Sequence, residues 1–187
     1  PILKQIPLYK RNTVTEVTLD MANNMEAIIK ETFPRAKLVT DRFHVQQLVT
    51  EAVQEIRVDL RREAIKQENE AIKKARAEKK KYYAPIYENG DTKKQLLARS
   101  RYLLFKPESK WIPQQTERSK ILFKEYPELK QAHELSMMFR NCYESSKSIP
   151  EARVALGNWY QKVESKKIDS FITAAESIRL HETTILN

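Results

Sequence analysis

Glycine is nearly absent from this 187-residue chain: it occurs twice, at Gly90 and Gly157. A G-x-G-x-x-G dinucleotide loop and a P-loop are therefore excluded, because both need glycines that let backbone N–H groups approach a phosphate. An all-β sandwich, with its many tight turns, is disfavoured on the same ground. A single cysteine, Cys142, leaves no internal disulfide, which points to a reducing compartment. No apolar run approaches the length of a membrane span. Three histidines and one cysteine give no zinc-ligand spacing. His181-Glu182 opens like H-E-x-x-H, but Ile185 stands where the second histidine would be. No serine lies in a G-x-S-x-G elbow. His133 and His181 are expected to be surface or helix-packing residues, and Cys142 a small buried apolar one.

What is present is charge, largely of one sign. Lys and Arg number 34 against 25 Asp and Glu, a net charge of +9. Such an excess suits a polyanionic partner, above all nucleic acid. Residues 92–110 hold Lys93, Lys94, Arg99, Arg101, Lys106 and Lys110 against one acid, Glu108, and form the candidate DNA-facing cluster. Residues 55–82 carry ten basic and six acidic groups, the pattern of a solvated helix surface. Tyr102, Phe105 and Trp111 are expected in the core rather than stacked on bases.

Two unlike parts follow along the chain. Val14 to Leu19 are rich in β-branched residues and predict a strand ending at Asp20. Met21, Met25, Ile28 and Ile29 fall on one face of a helix that Pro34 ends. Ala36 to Thr40 predict a second strand ending at Asp41. The unit reads as βαβ, with parallel strands and a right-handed crossover, so both aspartates stand at the same carboxyl edge. In open α/β sheets, sites form at that edge. From Phe43 onward almost everything is predicted helical. One helix carries Val45, Leu48, Val49, Ala52, Val53, Ile56 and Leu60 and runs to about Lys81. Pro85, Asn89, Gly90 and Asp91 mark a break. Further helices are expected at 93–105, 114–125, 127–145 and 150–185, with Ser148 as an N-cap. The fold class is α+β, mostly α.

Asp20 and Asp41 have two readings. Converging carboxylates make an oxygen-rich site for Mg²⁺ or Mn²⁺. Alternatively, either aspartate caps the helix that follows it. Spacing favours capping for Asp41 and leaves Asp20 open.

The segment Asp20-Met21, followed by Phe33-Pro34-Arg35-Ala36-Lys37-Leu38-Val39-Thr40-Asp41-Arg42-Phe43-His44-Val45, resembles bacterial insertion-sequence transposases of the IS-L-three group. These are DDE enzymes with an RNase H-like core. Arg99 to Phe105, Trp159-Tyr160 and the closing His181-Glu182-Thr183-Thr184-Ile185-Leu186-Asn187 match as well.

The resemblance implies a βαβ piece of an RNase H-like core over residues 1–44 and a helical insertion region leading back toward the core over 45–187. It implies metal-dependent DNA strand cleavage and strand transfer by a parent enzyme. Asp20 matches the second metal-binding acid, while Asp41 and His44 match a C/D-x-x-H motif that supports the site. The first aspartate and the final glutamate are expected outside residues 1–187. The isolated chain is therefore expected to be inactive and weak in metal binding. Transposon-end and target DNA are the implied partners, with a second copy of the chain and no membrane. The implied location is the bacterial cytoplasm. The competing function class is a non-catalytic helical module for DNA binding or assembly, supported by the charge and the amphipathic helices.

Overall fold

The computed structural model describes residues 2–21 and 23–187, with the backbone alone for Asn23. A short helix α1 (Leu8–Arg11) precedes strand β1 (Glu16–Leu19), helix α2 (Asn23–Thr32), strand β2 (Lys37–Thr40) and the long helix α3 (Arg42–Ala77). Then come α4 (Lys93–Arg99), α5 (Pro113–Glu125), α6 (Pro127–Glu144), α7 (Ile149–Lys166), α8 (Asp169–Leu180) and α9 (Glu182–Ile185). The class is α+β with a small sheet and a large helical region, as the sequence predicts. No described helix is long and apolar enough to cross a membrane.

The chain forms two compact units. The first comprises Pro1–Val49, Phe139–Lys167 and Ile172–Asn187; the second comprises Thr50–Met138 and Ile168–Phe171.

In the first unit β1 and β2 pair in parallel, Glu16 opposite Lys37 through Leu19 opposite Thr40. The β-branched and apolar residues of both strands fit a pleated surface, and Leu38 and Thr40 turn into the core while Lys37 stays exposed. The chain's last residues cover β2: Thr184 and Thr40 share a hydroxyl hydrogen bond of 2.7 Å, and the Asn187 side-chain amide donates to the Leu38 carbonyl at 2.7 Å. Beside them lies an aromatic core. Phe139 and Trp159, both fully buried, have ring centroids 4.8 Å apart, and Tyr143 and Tyr160 flank them. Each large side chain removed from water in this way stabilises the unit by about 1.5–3 kcal/mol. Cys142 is buried in the same unit, as expected, and desolvation pushes its thiol pKa up to about 11.

In the second unit Leu96, Leu97, Leu103, Leu104, Leu122, Leu129 and Phe171 form the core. Its central polar node is Asp91, wholly buried between Arg99 and Arg118. Asp91 sits at the end of a turn whose Gly90 adopts φ +78°, a conformation that a side chain disfavours.

Three expectations are corrected. The helix predicted over 93–105 stops at Arg99 and continues as turns, and residues 78–92 are also outside helices. The helix predicted over 150–185 is three helices. Lys167 breaks it in the left-handed conformation (φ 53°, ψ 41°), with its amide donating to the Val163 carbonyl. Neither glycine nor proline announces that break. Finally, Tyr102 is exposed, and Phe105 and Trp111 are only half-buried. Ser148 does cap α7, accepting from the Glu151 amide at 3.4 Å.

Because Lys167 has a left-handed backbone, Lys167→Gly is expected to stabilise the protein by about 0.5–1 kcal/mol, read as a raised midpoint in urea. An unchanged or lowered midpoint would mean that the lysine side chain contributes more than its backbone costs.

Candidate active site

Asp20 and Asp41 follow neighbouring parallel strands directly, so both stand at the carboxyl edge of the pair. The Asp41 amide donates to the Leu19 carbonyl at 2.7 Å, which extends the ladder by one bond and fixes Asp41 next to the residue preceding Asp20. Asp20 itself is exposed. It lines a small depression of about 10 Å³ with Met21, Glu26, Thr40, His181 and Thr184. Such a volume is at the lower limit for one water-sized occupant.

Asp41 is the N-cap of α3. One carboxylate oxygen accepts from the Phe43 amide at 2.9 Å, and the other lies 3.1 Å from His44 Nδ1. The capping role read from spacing is thus realised, and the Asp-x-x-His pattern closes into a bonded pair across the first turn of the helix. Arg42 of the same turn reaches Glu144 at 3.6 Å and lies over the Tyr143 ring at 4.9 Å, tying the start of α3 to the end of α6. Removing the cap in Asp41→Ala is expected to cost about 1 kcal/mol, measured by denaturant unfolding. A cost near zero would mean that water replaces the carboxylate fully at this helix end.

A divalent cation bound for phosphodiester chemistry needs several oxygen ligands. Asp20 places a carboxylate at the carboxyl edge of the strand pair. Glu26 is already in an ion pair with Lys30 at 2.6 Å, and the Asp41 carboxylate is occupied by the helix end and His44. Among the described residues no three His, Cys, Asp or Glu side chains converge into a metal-holding group.

The basic cluster of 92–110 is partly neutralised. Lys94 pairs with Glu68 at 2.7 Å, and Arg99 pairs with Asp91. Lys93 reaches the Gln67 side chain at 3.4 Å, and Arg101 lies over the ring of Tyr102 at 5.7 Å. Lys93, Arg101, Lys106 and Lys110 are exposed and in no ion pair among the described residues. Asp91, which the sequence offers only as part of a break, proves to be the acid that holds two arginines. Its partners lie 8 and 27 positions along the chain, too far for any local pattern to reveal.

A family model described as "Transposase", that of the DDE transposases of the IS-L-three group, matches residues 1–187. The chain belongs to that family. No curated protein and no solved structure matches it significantly.

Proposed function

We propose that this chain is a catalytic-core segment of a transposase that cuts and joins the DNA of an insertion sequence, and that Asp20 is one of its metal-binding acids. The observation that carries the reading is the position of Asp20, exposed directly after a strand at the carboxyl edge of a parallel pair. Membership of the DDE transposase family supports it.

The bound Mg²⁺ or Mn²⁺ would activate the attacking oxygen and stabilise the leaving oxygen of a phosphodiester. This chain's own contribution is to hold Asp20 on a rigid strand end. Asp41 and His44 act as positioning residues: their bond fixes the first turn of α3, and the Asp41 amide fastens that turn to β1 beside Asp20. The organisation proposed is residues 1–44 as part of an RNase H-like core and 45–187 as a helical insertion region leading back toward it. Lys93, Lys94, Arg99, Arg101, Lys106 and Lys110 are proposed to face DNA, with Lys94 and Arg99 weakened in that role by their ion pairs.

The test is metal-dependent cleavage of transposon-end DNA by the intact transposase carrying Asp20→Asn. Loss of cutting with DNA affinity retained is expected, whereas cutting at near the unaltered rate would remove Asp20 from the site.

A further inference from the structure

In the helical unit the rings of Trp111, Phe123 and His133 form a triangle, with centroids 6.2, 5.4 and 5.6 Å apart. The triangle is fixed at two corners. The Trp111 indole N–H donates to the Leu103 carbonyl at 2.8 Å, and buried His133 has its Nε2 2.9 Å from the Lys106 carbonyl. Trp111 and Phe123 are only half-buried, and both line an open groove of about 580 Å³. A space of that size accommodates a nucleotide-sized ligand. The other lining residues are Glu108, Thr116, Ser119, Lys120, Lys124 and Lys130.

The charges of this groove differ from those of the 92–110 cluster. Lys120 and Lys124 lie one turn apart on α5, and Lys130 is on α6. All three are exposed, and among the described residues none is in an ion pair. Glu108 is the one carboxylate in the lining. The Thr116 and Ser119 hydroxyls are spent on backbone carbonyls, Ile112 and Thr116 respectively. The groove therefore offers a rigid aromatic wall and an excess of unneutralised positive charge.

We propose that this groove binds an unpaired nucleotide of a DNA strand, its base against Trp111 and Phe123 and its flanking phosphates against Lys120, Lys124 and Lys130. Bases stack on aromatic side chains irrespective of sequence, and a basic groove follows the backbone. A base inside a duplex has both faces covered and cannot use the aromatic wall. An acidic peptide would use the lysines and leave the rings idle. The inference rests on the proposal that the protein acts on DNA, but it does not involve Asp20.

The experiment follows from the placement of the two tryptophans. Trp159 is fully buried, so a DNA-induced change in emission reports Trp111. The full chain, in EDTA, is titrated with an oligothymidylate, with the same strand made abasic, with a duplex and with polyglutamate. Oligothymidylate is expected to quench Trp111, in the Asp20→Asn protein as well. The abasic strand and the duplex should quench little. Phe123→Leu should weaken oligothymidylate binding about tenfold. The triple variant Lys120→Gln, Lys124→Gln, Lys130→Gln should lower the salt slope by about 2, three single-strand phosphate contacts at roughly 0.7 each. These lysines are exposed, so the triple variant is expected to melt with the unaltered protein.

Oligothymidylate that fails to quench overturns the proposal, as does equal quenching by the abasic strand or the duplex. Polyglutamate displacing the strand at equal charge concentration, with no stacking advantage to overcome, overturns it in favour of an acidic-peptide surface. Quenching that disappears only with Asp20→Asn would also overturn it, because binding would then belong to the acidic site. Loss of cleavage in Asp20→Asn with quenching intact supports both proposals separately.

Discussion

Asp20→Asn in the intact transposase is expected to reduce strand cleavage by on the order of 10³-fold, comparable with or beyond the loss of one oriented group that stabilises transition-state charge. Asparagine keeps the size of aspartate and one carbonyl oxygen but removes the negative charge that a divalent ion requires. The side chain is exposed at a strand end, so little packing is lost. The melting temperature and DNA affinity should therefore stay close to those of the unaltered protein. Asp41→Asn provides the internal comparison. Its carboxylate is engaged by the Phe43 amide and by His44, and asparagine still offers one oxygen to cap the helix. Activity should fall much less there than at Asp20. Equal losses at the two positions would mean that the edge works as a pair, with Asp41 touching metal or DNA directly.

Asp91→Asn is expected to destabilise the protein by about 3 kcal/mol, since removing one partner of a buried ion pair leaves uncompensated charge behind. For a chain of this size that is a fall in melting temperature of roughly 6–12 °C. Arg118 Nε donates to one carboxylate oxygen at 2.8 Å, the Asn89 amide donates to the same oxygen at 2.9 Å, and Arg99 takes the other. The carboxyl has no exposed surface. Its burial alone would raise the pKa; the hydrogen bonds and charges of Arg118 and Arg99 more than reverse this and hold it below its ordinary value of 3.8. Because the folded pKa lies below the unfolded one, this contribution is complete above about pH 4 to 5 and is lost as pH falls through the folded value. The Asn variant should therefore differ most from the unaltered protein near neutrality and converge with it in strong acid. Asp59→Asn is the control. Its pair with Arg62 is exposed on both sides, so a change within about 0.5 kcal/mol is expected. Indistinguishable melts for the Asp91 and Asp59 variants would show that the buried node contributes no more than a surface pair.

The sequence made some of these features legible and concealed others. The two strands and the helix between them could be read because their signals are local: β-branched runs, a four-residue periodicity and a proline. Asp20 and Asp41 gained meaning from that reading, since topology alone places both at one edge. Helices α5, α6 and α7 were legible because Pro113, Pro127 and Pro150 mark their starts. The break at Lys167 was not, because a lysine there adopts a backbone that usually announces itself with glycine. The neutralisation of Lys94 and Arg99 was hidden because Glu68 and Asp91 reach them through folding rather than through a helical repeat. The aromatic groove was hidden for the same reason: Trp111, Phe123 and His133 come from three successive segments with no shared spacing.

The burial of Cys142 has a practical consequence for chemical labelling. Maleimides and iodoacetamides react with thiolate, and a thiol with a pKa near 11 in a closed core presents almost none of it at neutral pH. The chain is thus close to thiol-silent while folded. A single cysteine introduced on α5 or beside Asp20 should take one probe cleanly, with no need to remove the native residue. The onset of labelling at Cys142 itself would then time the opening of the first unit's core.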